Sequence, residues 1–323
     1  MPEDRPLWNA QQANYTLRSV FIYRRLKQVL TLGLQDQIMT LDISGLDWQR
    51  EDLGISLTAM EKAKAAGLKL HLVFCHPEVI AANPRLVLYY RCLSAISQKG
   101  ITKLFGNVVP YESGARTSIP PERALLLART LNRLISAILD SEPTPAFTVL
   151  LALFPATYTV ELDGSWRGQI GQRISRQVKE LLVSDLLERG HISHPLLPLP
   201  ELLTKNAFTL DNGYRLVFGS EPDVAIYDSG DILACAIEVK GGMDEAGALE
   251  RYGAAKKSFD AALARNPRVL TVYLASCITP TVRQRINADR TVREAFDLTE
   301  VLLDPTSREH FLSQFYWWLH LNR

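Results

Sequence analysis

Three charged residues in the second half of the chain have the types and spacing of a site for a divalent cation. Asp223 follows Pro222, and Glu238 and Lys240 come 15 and 17 residues after it. Two apolar runs, VAIYD and ILACAIEVK, flank a short turn at Ser229-Gly230. Apolar runs of this length separated by turn residues predict two paired strands. The pairing of these strands therefore decides whether the three side chains meet.

A two-residue turn at Ser229-Gly230 predicts which residues face each other in the hairpin. Counting outward from the turn places Asp223 opposite Ala236. Because side chains alternate along a strand, Glu238 and Lys240 lie on the same face as Ala236, and Asp223 joins them. Asp223 and Glu238 then become diagonal neighbours, with Cβ atoms about 7–8 Å apart. Two carboxylates at that separation can both bind a Mg²⁺ ion whose other positions hold water and a substrate phosphate.

The three side chains suit the hydrolysis of a phosphodiester. The metal ion polarises the phosphoryl oxygen and activates a water, and Lys240 orients that water or helps to deprotonate it. Gly241-Gly242 follow directly, as expected where the backbone passes close to another group without side-chain obstruction. The alternative is a structural ion pair at a strand end, either Glu238–Lys240 or Asp223–Lys240.

The pattern Pro222-Asp223 followed by Glu238-Val239-Lys240 resembles the PD-(D/E)xK nuclease signature. The continuation EVKGGMDEAGALERYGAAKKSF looks like the XcyI-type family of type II restriction endonucleases, most clearly over residues 208–276. The resemblance implies that Asp223 and Glu238 hold Mg²⁺ and that Lys240 serves the water. It also implies cleavage of double-stranded DNA within a palindromic, G·C-rich site of the CCCGGG kind, giving 5′-phosphate ends. A cognate DNA methyltransferase, acting separately, would complete the restriction–modification system.

The order of elements predicts an α/β fold in which helices flank a mixed central sheet. The resemblance implies that this is a restriction-endonuclease-like core. The stretch SEPTP at residues 141–145 is the best boundary in the chain. Residues 1–145 are expected to form a helix-rich N-terminal region for DNA recognition, dimerisation or both. Residues 146–323 are expected to form the nuclease core.

Hydrophobic periodicity and capping residues place the individual elements. In the first region, KLHLVF alternates as a strand does, and Ser56 caps a helix that ends at Gly67. In the second region, a helix begins near Ser165, and GYRLVFG, VAIYD and ILACAIEVK follow as strands. Asp244 is the expected N-cap of the next helix. The strand VLTVYLAS, a helix from Thr279-Pro280, a strand LTEVLLD and a final helix SREHFLSQFYWWLHL complete the chain.

Three further residues are candidates for supporting or DNA-contacting roles. Gln172 lies in the helix before the hairpin, from which related nucleases often extend a polar residue to the metal site. Lys256 lies on or beside the packing stripe of the helix after Lys240, and either contacts a phosphate or extends to solvent. Arg251 lies on the other face of that helix, where an ordinary solvated position is the default. A surface position is equally the alternative for the Gln172 amide.

Reading of guanines calls for arginine or lysine side chains that donate to the base edges. The candidates are the densest basic group, Arg283, Arg285, Arg290 and Arg293, and two residues in or beside a Gly- and Pro-rich loop, Arg116 and Arg123. The sequence does not choose between the two groups. A two-fold symmetric DNA site is most simply matched by a homodimer in which each active site cuts one strand.

The composition limits the other functional classes. The chain has 323 residues, of which 47% are hydrophobic and 22% charged, an ordinary globular mixture. Its formal net charge of +1 means that any DNA-binding groove depends on local clustering of basic residues. The four cysteines show no C-x-x-C spacing, which argues against a zinc site or a disulfide framework. With a polar N-terminus and no run able to span a bilayer, a cytoplasmic protein without membrane contact is expected.

Two alternative functions remain open from the sequence. The first is a repair or mobile-element nuclease that recognises branched or single-stranded DNA. The second is a catalytically inactive DNA-binding protein with a nuclease fold, although the intact set of Asp223, Glu238 and Lys240 counts against it.

Overall fold

The computed structural model describes residues 6–42, 44–192 and 197–321, with side chains described from residue 10 onward. The chain forms two compact units, one from Arg18–Ser165 and the other from Met1–Leu17 together with Trp166–Arg323. The sequence predicted a division at residue 145, which lies before the long helix that begins at Phe147. The functional roles that the sequence assigned to the regions 1–145 and 146–323 remain predictions.

The unit Arg18–Ser165 is helical throughout its described part. The helices that contribute to it in whole or in part are α1 (Pro6–Leu30), α2 (Leu34–Met39), α3 (Leu57–Ala65), α4 (Leu70–Val73), α5 (Pro77–Ala82), α6 (Leu86–Leu93), α7 (Gln98–Leu104), α8 (Val109–Glu112), α9 (Pro121–Asp140) and α10 (Phe147–Glu188). Ser56 caps α3 as predicted, because its side chain accepts a hydrogen bond from the backbone N–H of Ala59. A buried ion cluster also stabilises this unit: Arg91, which is fully buried, pairs with Glu112 and Glu161.

The predicted strand KLHLVF is wrong, because Leu70–Val73 form the single helical turn α4. The alternation that suggested a strand is present, since His71 and Val73 are buried while Leu70 and Leu72 are half-buried. A strand also needs a neighbour to satisfy its backbone groups. The described part of this unit contains no strand, and the backbone N–H of Phe74 bonds instead to the carbonyl of Leu70 at 2.7 Å.

The second unit is built on a six-stranded sheet with the spatial order β1-β2-β3-β4-β5-β6. The strands are β1 (Ala207–Thr209), β2 (Arg215–Phe218), β3 (Val224–Tyr227), β4 (Leu233–Lys240), β5 (Leu270–Ala275) and β6 (Glu294–Asp297). Strands β1 to β4 pair antiparallel, whereas β4–β5 and β5–β6 pair parallel. The helices after α10 are α11 (Leu199–Leu202), α12 (Ala248–Arg265), α13 (Pro280–Ala288), α14 (Leu298–Leu303) and α15 (Pro305–Trp318). The α/β class and the mixed sheet are therefore confirmed.

The central strand β4 is covered on both faces. Ile237 and Val239 belong to a core that includes Val178 of α10. Ala236, on the opposite face, packs with Ala262 of α12. Because alternate residues of a strand point to opposite faces, Glu238 and Lys240 lie on the α12 side of the sheet.

Two predicted helix starts and one predicted strand need correction. The helix expected to begin near Ser165 is α10, which already begins at Phe147. Helix α12 begins at Ala248 with Gly247 as its N-cap, so Asp244 is not the cap. The predicted strand LTEVLLD is the helix α14, which starts there because the Asp297 carboxylate accepts hydrogen bonds from two backbone N–H groups of its first turn.

Among the helices described, none contains a stretch that is long and apolar enough to cross a membrane.

Candidate active site

The register of the β3–β4 hairpin differs from the predicted one by two residues. Ala225, and not Asp223, pairs with Ala236. One residue of the difference comes from a longer turn, and the other from an irregularity in the pairing between Ile226 and Tyr227. Continuing the observed register outward by one residue places Asp223 directly across from Glu238. The two carboxylates are therefore closer neighbours than the predicted diagonal arrangement implied.

Lys240 joins the two carboxylates. Its Nζ lies 3.1 Å from Oδ2 of Asp223 and 2.5 Å from Oε2 of Glu238. Oδ2 of Asp223 also accepts a hydrogen bond of 2.8 Å from the backbone N–H of Val239. The structure thus brings Asp223, Glu238 and Lys240 together at the end of β4, and we refer to these three residues as the hairpin cluster.

The members of the hairpin cluster differ in their access to solvent. The side chain of Glu238 is 4% exposed, whereas those of Asp223 and Lys240 are 21% and 20% exposed. Burial raises the pKa of Glu238, and the hydrogen bond and charge of Lys240 offset part of that rise. Burial would lower the pKa of Lys240, but the two carboxylates outweigh it and raise this pKa. Lys240 is therefore an ammonium ion at neutral pH.

One carboxylate oxygen of Glu238 does not contact Lys240. Oε1 is buried and has no hydrogen-bond partner within the described part of the chain. A buried polar atom without a partner is costly, and a metal ion or its bound water removes that cost. The described residues contain no group of three or more His, Cys, Asp or Glu side chains arranged to hold a metal. The site fits Mg²⁺ as a two-carboxylate site, since this ion usually takes one or two carboxylates and completes its shell with water and phosphate.

The loop after Lys240 is held tightly against its surroundings. A Cβ atom on Gly241 would lie 2.7 Å from Cβ of Ile174 in α10, so glycine is required by this close approach. Arg251 of α12 pairs with Oδ1 of Asp244 at 2.8 Å and also donates to the Asp244 carbonyl. The Arg251 side chain is 20% exposed, so the expected solvated position is wrong. Arg251 stabilises the loop that follows the hairpin cluster.

The other two supporting candidates lie elsewhere. Gln172 is exposed in the middle of α10. Ile174, two residues later, packs on Gly241, and two residues of an α-helix turn by about 200°, so Gln172 lies on nearly the opposite face of α10. None of the contacts among the described residues supports the predicted approach of Gln172 to the metal site. Nζ of Lys256 lies 2.8 Å from Oδ2 of Asp289 and 2.9 Å from Oγ1 of Thr291. The anions that Lys256 meets in this structure are therefore Asp289 and, at 3.5 Å, Asp260.

The candidates for base recognition lie in several elements. Arg283 and Arg285 belong to α13, and Arg290 and Arg293 follow that helix. Arg283 also lines an open cavity with Asp297 and His310. In the helical unit, Arg116 and Arg123 lie over the rings of Tyr111 and Phe105, with centroid distances of 6.0 and 5.0 Å. Their role in reading bases remains a prediction.

Two contributions to the site were missed by the sequence reasoning. The backbone N–H of Val239 holds Asp223, and a backbone donor leaves no signal in the residue type. Ser258 of α12 lies close enough to Glu238 to lower its pKa. The signal for Ser258 is its spacing: it lies three residues after Ala255 and seven after Arg251, and residues three, four or seven apart share one face of a helix.

A family model described as XcyI restriction endonuclease matches residues 22–303 of the chain. The match spans most of the sequence and includes the whole hairpin cluster. No curated protein sequence matches the chain. A restriction endonuclease is a nuclease, a hydrolase that acts on DNA. Because the family model covers well over half of its length, the chain belongs to the XcyI restriction endonuclease family.

Proposed function

We propose that this protein is a Mg²⁺-dependent type II restriction endonuclease of the PD-(D/E)xK kind, with the hairpin cluster as its active site. The observation that carries the proposal is the convergence of Asp223, Glu238 and Lys240, with Oε1 of Glu238 buried and without a described partner. A purely structural ion pair needs only one carboxylate, whereas two carboxylates lie within hydrogen-bonding distance of the Lys240 ammonium group.

Each residue of the hairpin cluster has a distinct role in this proposal. Asp223 and Glu238 hold the Mg²⁺ ion. When bound, the ion supplies Lewis-acid polarisation of the phosphoryl oxygen and lowers the pKa of a bound water. Lys240 orients the attacking water and, as an ammonium ion, stabilises the negative charge that develops on the phosphoryl group.

The reaction consumes one water molecule for each bond cut. The water oxygen forms a bond to phosphorus, the bond from phosphorus to the 3′ oxygen breaks, and that oxygen takes up a proton. The products carry a 5′-phosphate and a 3′-hydroxyl. The proton that the water loses would pass to solvent, and a cation held by Asp223 and Glu238 would favour this loss by lowering the pKa of the water.

The proposed DNA specificity and the proposed homodimer rest on the family resemblance. The substrate is double-stranded DNA with a palindromic, G·C-rich site of the CCCGGG kind, and a homodimer places one hairpin cluster on each strand. Arginines of α13 and of the segment after it are the candidates for contacts with guanine. The N-terminal region contributes recognition, dimerisation or both. The enzyme acts in the cytoplasm, where a cognate methyltransferase protects the host DNA.

Digestion of plasmid and phage DNA tests the proposal. The wild-type protein with Mg²⁺ should give discrete fragments, and sequencing of their ends should show one palindrome. Glu238→Gln keeps the shape of the side chain but loses the charge that binds the cation, and we expect it to stop cleavage while the protein stays folded. Glu250→Gln, an exposed residue in the first turn of α12, is the matched control and should cut normally. Normal cleavage by Glu238→Gln would show that another carboxylate does the chemistry.

The same experiment separates the two alternative functions. Cleavage of branched or single-stranded DNA, without fixed fragments from plasmid, would indicate a structure-specific nuclease. DNA binding without Mg²⁺-dependent cleavage would indicate an inactive DNA-binding protein.

A further inference from the structure

Among the buried polar atoms on the α12 side of the sheet, two that are chemically complementary have no hydrogen-bond partner in the described residues. One is Oε1 of Glu238, and the other is Oγ of Ser258; neither has a hydrogen-bond partner among the residues that the structure describes. A carboxylate oxygen only accepts hydrogen bonds, and a hydroxyl group is able to donate one. The two atoms are thus chemically complementary.

Ser258 is placed to reach Glu238. It lies on the face of α12 that also carries Ala255 and Ala262, at helical spacings of three and four residues. That face packs on the sheet, since Ala262 contacts the core around Ala236 of β4. Ala262 packs with Ala236, and one helical turn back from Ala262 along α12 covers about the same length as two residues forward along β4, so Ser258 lies over Glu238. The lowering contribution of Ser258 to the pKa of Glu238 agrees with this placement.

A serine inside a helix commonly donates to the backbone carbonyl four residues earlier, and Ser258 does not. Ser184 of α10 and Ser313 of α15 each donate to the backbone carbonyl four residues earlier, at 2.7 and 2.9 Å. This local bond is the common fate of a serine inside a helix. The hydroxyl of Ser258 makes no such bond in the described structure, and it is instead held at the packed interface with the sheet.

We propose that Ser258 is a positioning residue for the metal-binding carboxylate. A small rotation of its hydroxyl gives a hydrogen bond to Oε1 of Glu238, while Lys240 holds Oε2 of the same group. With both oxygens held, the plane of the carboxylate is fixed. Each oxygen keeps a second lone pair, so the group still binds a cation. Partners of this kind orient the carboxylates of metal sites and strengthen the site. The inference rests on the proposed function, because it concerns the same site.

A second buried hydroxyl lies on the same face. Tyr273 pairs with Glu238 across β4 and β5, and its hydroxyl also has no partner in the described ranges. Its ring meets that of Tyr252 at a centroid distance of 5.8 Å, so the ring is held by packing and not by its hydroxyl. The test must therefore separate Ser258 from Tyr273.

Titration of the purified full-length protein with Mg²⁺ in a calorimeter, without DNA, provides the test. Ser258→Ala should weaken Mg²⁺ binding by about 10-fold or more, within the range of about 10–100-fold known for partners of metal ligands. Ser258→Thr keeps a hydroxyl and should bind within about threefold of the wild type. Tyr273→Phe and the control Tyr252→Phe should change the affinity little. The Ala variant should remain folded, because alanine has the highest helix propensity and the loss of one hydrogen bond costs only about 0.5–1.5 kcal/mol.

Three outcomes would overturn the proposal. Unchanged Mg²⁺ affinity in Ser258→Ala would remove the assigned role. Equal losses in the Ala and Thr variants would show that the hydroxyl is not the cause. A loss in Tyr273→Phe without one in Ser258→Ala would assign the role to Tyr273. Failure of the wild-type protein itself to bind Mg²⁺ would instead refute the metal-dependent function, and the inference with it.

Discussion

Replacement of Gly241 by alanine tests how closely α10 is packed against the end of β4. The added Cβ would lie 2.7, 2.8 and 2.9 Å from Cβ, Cγ1 and Cγ2 of Ile174. Carbon atoms in contact prefer separations of about 3.5–4.0 Å, so the three approaches are shorter than even the lower limit by roughly 0.6–0.8 Å. These atoms branch at the first carbon of a stiff side chain, and a rotamer change relieves little of the overlap. The loop or the helix must therefore move.

The size of the effect follows from that displacement. Overpacking of this kind costs about 1–3 kcal/mol in the free energy of unfolding. Gly241 directly follows Lys240, so the same movement shifts the ammonium group from its place between the carboxylates. A misplacement of about 1 Å near reacting groups lowers a rate by as much as about 10²-fold. We expect the Gly241→Ala variant to lose both stability and cleavage rate.

Urea denaturation and single-turnover cleavage of plasmid DNA measure the two effects. Gly253→Ala is the matched control, because a Cβ at this position in α12 meets nothing within 4 Å. The control should gain about 0.5–1 kcal/mol, since alanine favours a helix interior over glycine. Ile174→Ala removes two of the three offending atoms and should restore part of the rate in the double variant. Wild-type stability and wild-type cleavage in Gly241→Ala would refute the close packing of this loop.

Two further predictions concern charges outside the hairpin cluster. Arg91→Leu leaves the carboxylates of Glu112 and Glu161 without their buried cation and should cost about 3–5 kcal/mol in urea denaturation. A loss below about 1 kcal/mol would contradict this. The hydrogen bond from Lys256 lowers the pKa of Asp289 to about 2. Its stabilising effect is present above the unfolded pKa of 3.8 and is lost as the pH falls toward 2. Asp289→Asn should therefore cost about 1 kcal/mol at pH 7, since the pair is partly exposed. The cost should fall below pH 3.8 to a small fraction near pH 2, where about half of the Asp289 carboxyl groups are still ionised. An undiminished cost at pH 2 would argue against the pair.

The elements that the sequence predicts correctly are those with local signals. Thr279 caps α13 through a hydrogen bond from the N–H of Val282, and this bond needs only residues within one turn. The failed predictions depend on distant neighbours. The alternation in Leu70–Val73 is typical of a strand, but the described part of the surrounding unit offers no strand for pairing. The run Leu298–Leu303 is apolar enough for a strand, yet Asp297 begins a helix there.

The convergence of the hairpin cluster was predictable despite the error in register. The predicted and observed pairings differ by two residues, and side chains in a strand repeat with a period of two. A register difference of two residues therefore leaves Asp223 on the same face of the sheet as Glu238 and Lys240. The position of Ser258 was not predictable in this way, because the rotation of α12 over the sheet depends on the packing of both surfaces.

The β3–β4 hairpin supplies all three residues of the hairpin cluster from one short segment of the chain. Asp223 and Lys240 are only 17 positions apart, and Glu238 lies between them. The arginines of α13, proposed for base contacts, lie outside this segment, so a library that randomises them would leave all three proposed catalytic residues in place. Under the proposed assignment, specificity could thus be varied without changing the residues that cut DNA.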